Sequence, residues 1–288
     1  MRARDIDAFL YSAADPRARL AEAALLMARL EYPRLDPTPY LERLDEMGRA
    51  ARAHVEHTTD AAGTREATVA SLGRYVYGVL GFGGNREHYD DPHNSLLNQV
   101  IERRTGIPIT LAVILIEVGT LAGVPLEGVN FPRHFLVRVE PTAGQSQTGV
   151  VLVDPFNGGA ILSQSDCAAL LGPDASNPLT PPMFERAGKH DILVRMLLNI
   201  KGAYVRQHSY PQARDAVDLL LALDPTLMSE VRDRALLSYR LGHFAAALRD
   251  SERYLQAPPA PDDPDARAAH EQMWEQVKGL RKRIAGFN

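Results

Sequence analysis

The chain has one cysteine, Cys167. That scarcity excludes an intramolecular disulfide and any metal site built from several thiolates. Lysine is almost as scarce: of the 32 basic residues only Lys189, Lys201, Lys278 and Lys282 are not arginine. There is no run of about 18 apolar residues, so no membrane-spanning helix is expected. No apolar segment follows Met1-Arg2-Ala3-Arg4-Asp5, so no signal peptide is expected either, and a reducing, cytoplasmic location is the default. The net charge is −4 with acidic and basic residues interspersed, which leaves no basic face for nucleic acid. What remains is ordinary globular material. The 288 residues are 45% hydrophobic and 24% charged, enough to bury one large core or two modest ones.

Residues 1–80 read as a helical layer. Phe9, Leu10, Leu20, Ala24, Leu25, Met27 and Leu30 recur at helical spacing, and a third helix runs through Leu44 and Met47. A fourth is expected over 64–79, with Leu72, Val76, Val79 and Leu80 on its apolar face. Gly81-Phe82-Gly83-Gly84-Asn85 lacks the lysine of a phosphate loop and reads as a turn. His88, Asp90, Asp91 and His93 lie close enough to suggest a metal, but Pro92 interrupts the helix that would align the histidines, so no metal is expected. Asn94 or Ser95 is expected to cap a short helix ending at Arg104. Pro108 then suits the first turn of the next helix, whose stretch through Leu121 is apolar on nearly every side except at Glu117 and Thr120. That makes it the central helix, with Gly123 as its C-cap.

Valine-rich stretches over 124–139 and 150–153 read as strands of an antiparallel hairpin around the polar loop 141–149. Asp154-Pro155-Phe156-Asn157-Gly158-Gly159 turns the chain, Ile161-Leu162-Ser163 adds a short strand, and Ser165 or Asp166 caps a small helix holding Cys167. The proline-rich stretch 172–182 is the expected boundary between a first domain, 1–185, and a second, 189–288. The second domain is all helix. Aligning Pro225 with Pro259 gives a repeat of about 34 residues, the length of a tetratricopeptide helix pair. Arg234 weakens the match by occupying a position where an apolar residue is usual. A last helix with Met273, Trp274, Val277 and Leu280 is expected to cover the end of the stack.

The order of a helix start, a histidine and an aspartate is the order in which a papain-like or transglutaminase-like enzyme presents nucleophile, base and orienter. His134 and Asp154 fill the last two places. The strings Arg103-Arg104-Thr105-Gly106-Ile107-Pro108-Ile109-Thr110-Leu111, His134-Phe135-Leu136-Val137-Arg138 and Asp154-Pro155-Phe156-Asn157-Gly158-Gly159 resemble the bacterial SirB-type transglutaminase-like proteins. Their tetratricopeptide tail is matched by the C-terminal third, so the resemblance covers most of the chain. It implies an α+β papain/transglutaminase-like domain with a helical N-terminal layer and a small antiparallel sheet, followed by all-α tetratricopeptide-like repeats. A related domain also occurs in a eukaryotic F-box protein.

The resemblance also places Asn94, Asn98, Gly106, Arg133 and Asn157 at motif or cleft positions. In active members the helix opens Gly-x-Cys, and Gly106, Ala112 and Gly123-Val124-Pro125 fall in that register, which puts Pro108 at the cysteine's place. Proline has neither a nucleophilic atom nor an N–H to donate. Thr110 and Cys167 remain as substitute nucleophiles, each with a plainer reading, as a helix-start hydroxyl and a buried thiol. No cofactor is expected. The implied function is a non-catalytic scaffold that binds a protein or peptide through its cleft and repeats, with no nucleic-acid or membrane partner. The alternative is a hydrolase or acyltransferase using His134 and Asp154. The oligomeric state does not follow from the sequence.

Overall fold

The computed structural model describes residues 2–59, 64–139, 150–172, 179–259 and 262–285. Contacts divide the chain into a unit spanning Arg2–Met196 and a unit spanning Leu197–Asn288.

The first unit is built around α6, Pro108–Ala122, which is buried almost throughout. The helical layer before it opens with α1 (Ala3–Ala14), α2 (Leu20–Met27) and α3 (Thr38–Thr58). Of these, α2 and α3 pack on α6. The polar exception within α6 has a structural use. Glu117 is buried, and its two oxygens accept from the Ala21 backbone N–H and the Arg19 Nε, each at 2.9 Å. Neither α1 nor α2 has a side-chain cap of its own. The carboxylate therefore satisfies a donor that the start of α2 leaves open.

The helix expected over 64–79 changes character half-way. α4, Arg65–Gly73, starts on Thr64 and passes into a π-helical stretch, Arg74–Val79. The wider winding shifts the phase of the helix face. Leu72 and Val76 stay buried as expected, but Val79 turns outward and is 63% exposed. The glycine-rich segment is more than a turn. β1, Gly83–Gly84, pairs in parallel with β2, Thr105–Gly106. Between them the short helix α5 covers Leu97–Arg103, and its N-cap is Leu96 without a side-chain bond. Asn94 and Ser95 therefore do not cap it. They lie in the preceding 3-10 turn, Pro92–Ser95, whose cap is Asp91.

The sheet has five antiparallel strands in the order β6-β5-β4-β3-β7. These are β3 (Leu126–Val129), β4 (Leu136–Val139), β5 (Leu152–Asp154), β6 (Ala160–Leu162) and β7 (Arg186–Ala187). The 124–139 stretch is thus two strands separated by a turn. β3 and β4 pack on α6. The loop 141–149 and most of the proline-rich stretch lie outside the described residues. Helix α7, Gln164–Leu171, is capped by Ser163, with Asp166 at the third helical position bonding back to the Ser163 N–H at 2.8 Å. The capping residue is thus Ser163 and not Ser165, because Ser163 is the residue whose hydroxyl faces the open N–H of Asp166.

The expected boundary near 172–182 and the division at Met196 differ for a physical reason. β7 lies past the prolines and pairs with β3, and the opening of α8 (Lys189–Arg206) is tied back by Lys189, whose Nζ donates to the carbonyls of Ser12, Asp15 and Ala18 at 2.5, 3.1 and 2.8 Å.

The second unit contains the rest of α8 and α9 (Tyr210–Leu223), α10 (Met228–Arg240), α11 (Phe244–Leu255) and α12 (Pro264–Ala285). The repeat shows in the backbone. His208 and Gly242 stand one repeat apart and both take left-handed φ, 57° and 76°. Arg234 earns its place by charge, since it forms two bonds of 2.8 Å to Asp250 and one of 3.1 Å to Asp218. α12 packs on α11 and buries Met273, Val277 and Leu280, whereas Trp274 is 48% exposed.

Candidate functional site

Asp154 ends β5 and is 1% exposed. The chain then folds back into β6 through Gly158 and Gly159, at φ 68° and 72°, a left-handed pair that only glycine adopts cheaply. That turn aims successive donors at the carboxylate. The N–H groups of Phe156 and Asn157 donate to Oδ1 at 2.9 and 3.2 Å, and Asn157 Nδ2 donates to Oδ2 at 2.6 Å. His134 lies in the turn before β4, behind Arg133 at φ 60°, and its Nε2 sits 2.9 Å from Asp154 Oδ1. The pair expected on adjacent strands is thus formed, with the histidine two residues ahead of its strand.

Burial pushes the Asp154 carboxyl up, but the bonds from His134 and Asn157 outweigh it and hold the group below the ordinary carboxylate value. An ionised carboxylate only accepts, so Nε2 donates to Asp154 and Nδ1 is the ring nitrogen left free of that bond. This is the orientation a general base requires.

Phe156, from the same motif string, and residues outside any motif complete the surroundings. Phe156 stands edge-on to His134, with centroids 6.4 Å apart, and edge-on to Tyr89 at 5.8 Å. The Arg86 guanidinium lies 5.2 Å over the Phe156 ring and donates to Asn157 Oδ1. The Tyr77 hydroxyl is buried without a partner among the described residues. Burial pushes this phenol well above its ordinary value, and the Asp154 charge adds to the effect. Arg86 and Tyr89 lie in a polar loop with no periodicity, so no sequence signal marks them.

The other expected residues fall elsewhere. Pro108 is the first residue of α6 and is buried. The Thr110 hydroxyl is fully buried. It accepts from the Ile107 N–H at 3.1 Å and donates to the Asn94 carbonyl at 2.8 Å, which matches the plainer reading of this residue. Asn94 is buried as well, with its amide on the His88 and Tyr89 carbonyls and on Asn85. Gly106 lies in β2 beside Thr110. Cys167 sits in a separate apolar cluster with Val129, Phe131, Leu136, Leu152 and Leu171, and burial, then Asp166 and Asp154, push its thiol up. Arg133 is exposed. Asn98 lines a different cavity, beside Tyr40 and Glu102. His93 Nδ1 rests on Asp91 at 2.7 Å, and Arg103 holds the other Asp91 oxygen at 2.9 Å. Among the described residues no group of three or more metal-binding side chains assembles, and no helix is long and apolar enough to cross a membrane.

The transglutaminase-like superfamily model matches residues 38–198, and a tetratricopeptide-repeat model matches 200–273. The chain belongs to the transglutaminase-like superfamily. A UPF0162 protein of Xylella fastidiosa is 38% identical over 261 residues, covering 89% of this chain and 90% of the relative. One from Vibrio cholerae is 33% identical over 197 residues, 67% of this chain and 70% of the relative. Human F-box only protein 21 is 33% identical over 173 residues, 58% of this chain but 27% of that protein. Among solved structures, menin aligns with a TM-score of 0.46 at 11% identity, over 96% of this chain and 69% of menin, too low to carry an argument.

Proposed function

We propose that this superfamily member is a non-catalytic protein of the SirB type that binds a protein or peptide partner through its transglutaminase-like unit and its repeats. The observation that carries the reading is Pro108 at the start of α6, the place where the resemblance to active members puts the cysteine. The substitutes are poorly placed, because the Thr110 hydroxyl is committed to backbone groups and Cys167 is sealed in another cluster. The repeats supply binding surface. Leu198 and Val205 on α8 and Leu236 and Tyr239 on α10 are exposed apolar residues on the first helix of each pair, and Val205 and Tyr239 stand one repeat apart. Scattered exposed apolar residues are common, and the recurrence of one of them, Val205 and Tyr239, supports a face for a partner.

The second reading is an acyl-transferring hydrolase. It is favoured by one observation, the His134–Asp154 pair with Nε2 2.9 Å from Oδ1. The test is turnover of activated esters and thioesters by the purified chain, beside His134→Ala and Cys167→Ala. No turnover above buffer is expected from any of them. Turnover abolished by His134→Ala overturns the scaffold reading, and the Cys167→Ala arm then shows whether the thiol is the nucleophile.

A further inference from the structure

Charges that are interspersed along most of the sequence are sorted at one end of the second unit. Segments 206–214, 240–249 and 278–285 together hold eight basic residues and no acidic one. The structure joins them. Arg240 lies 5.3 Å over the Tyr210 ring, Arg283 lies 4.3 Å over the Phe244 ring, and Arg214 Nη1 stands 3.4 Å from His243 Nδ1. Tyr210 and Phe244 open α9 and α11 one repeat apart, so the stacked pair recurs from one turn to the next. Lys278 and Arg281 are tied to Glu275 and Glu252, but Arg240, Arg249, Lys282 and Arg283 are exposed and pair with no carboxylate among the described residues. The acids within three residues of these segments are Asp215, Asp250, Glu252 and Glu275, half as many as the basic groups. An open depression of about 510 Å³ lies at this end, with His243, Phe244, Arg249 and Ile284 among its walls and no carboxylate in its lining. Basic residues in the last turns of α8, α10 and α12 suit the carbonyl ends of those helices. Arg214 and Arg249 have no such use. They stand in the opening halves of α9 and α11, whose first turns carry no acid and no side-chain cap. Positive charge gathered on the positive ends of helices calls for an anion.

We infer that this end of the repeats docks an acidic segment of a partner protein, one carrying several Asp or Glu side chains. The cations lie on two successive turns, so a ligand that engages them spans several groups and is larger than a single ion. Arginines stacked on rings keep their N–H edges open, and those edges match carboxylates. The rings and Ile284 give the carbon of the segment something to lie against. The chain as a whole carries a net charge of −4. A continuous polyanion such as a nucleic acid or a membrane surface would face that acidic remainder too, whereas a short segment meets the basic end alone. The inference deepens the scaffold reading and rests on it for the idea that the repeats hold a peptide. The two fail separately, because ester turnover that His134→Ala abolishes removes that reading and leaves peptide binding as it is.

The test is fluorescence anisotropy of a labelled oligoglutamate peptide titrated with the full chain. An oligoglutamine peptide of the same length, a single-stranded DNA oligonucleotide and phosphatidylcholine vesicles carrying phosphatidylserine are measured beside it. Saturable binding of the oligoglutamate is expected, with none of the oligoglutamine. The binding should weaken as salt rises, because charges this exposed are screened. Arg249→Glu combined with Arg283→Glu should weaken it by about tenfold or more. Arg17→Glu combined with Arg49→Glu makes the same change of net charge at exposed positions of the first unit and should leave it unchanged. Arg249→Glu alone, which breaks no ion pair among the described residues, decides the matter where the double change disturbs the fold. No saturable binding of the oligoglutamate overturns the inference. So does binding that the Arg249 and Arg283 changes leave as it was, or that the first-unit changes weaken equally. Tighter binding of the oligonucleotide or the vesicles than of the peptide overturns it as well.

Discussion

Asp154 accepts four hydrogen bonds, from the His134 ring, two backbone N–H groups and the Asn157 amide. Its folded pKa lies below the ordinary value. A depressed carboxyl contributes stability that is present above its unfolded pKa of about 3.9 and is lost as pH falls through the folded value. Asp154→Asn replaces an acceptor with a donor facing donors and should cost about 1–3 kcal/mol at neutral pH. It should also flatten the acid limb of the stability curve. Urea denaturation at about pH 7 and about pH 3 measures both. A variant that loses as much stability between the two as the parent chain would show that Asp154 does not set the limb. Thr110 gives a second expectation. Thr110→Val keeps the shape but strands the Ile107 N–H and the Asn94 carbonyl, for about 1–3 kcal/mol, whereas Thr110→Ser should cost clearly less. Equal losses for the two would mean that packing of the methyl group, and not the hydroxyl, matters there.

Helix periodicity predicts burial where a helix stays regular and fails where tertiary contacts alter it. The apolar run of α6 announces a central helix because a segment without a polar face has to be covered on every side. Its one acid, Glu117, is legible as an exception, but its use as a cap for α2 depends on a neighbour distant in sequence. The π-helical stretch that turns Val79 outward has no composition signal. Arg234 follows the same rule, since its two aspartate partners come from the flanking helices. At the α3–α6 crossing the helices touch at Gly48, where an added Cβ would collide with the Leu121 side chain. Replacing a mid-helix glycine by alanine ordinarily stabilises by about 0.5–1 kcal/mol. Gly48→Ala should do the reverse and destabilise by about 1–3 kcal/mol, the usual cost of overpacking. Thermal unfolding decides the sign, and a stabilised variant would mean that the crossing relaxes without strain.

In the whole chain, the first unit extends past the proline-rich stretch. β7 covers the edge of β3, and Lys189 gathers the carbonyls at the end of α1 and in the turn after it. A chain ending at residue 185 should therefore melt at a lower temperature than one ending at residue 206. Lys189→Met in the full chain should cost about 1–3 kcal/mol, because three part-buried carbonyls lose one shared donor. Equal melting temperatures for the two truncations would show that the expected boundary after 185 was the physical one.

The sequence by itself determined the fold class, the repeat and the histidine–aspartate pair. The fold class and the pair follow from motif strings shared with the family the chain resembles, and the repeat from a period of about 34 residues. It also determined the absences, since one cysteine cannot make a disulfide. The tertiary structure alone decided how Asp154 is surrounded, because its four partners come from two separate turns. It alone brought Arg86 and Tyr89 to Phe156, and it moved Asn98 from the expected cleft to the cavity beside Tyr40. These are contacts between side chains far apart in the chain, and no spacing within one segment encodes which face of a neighbour a side chain will meet.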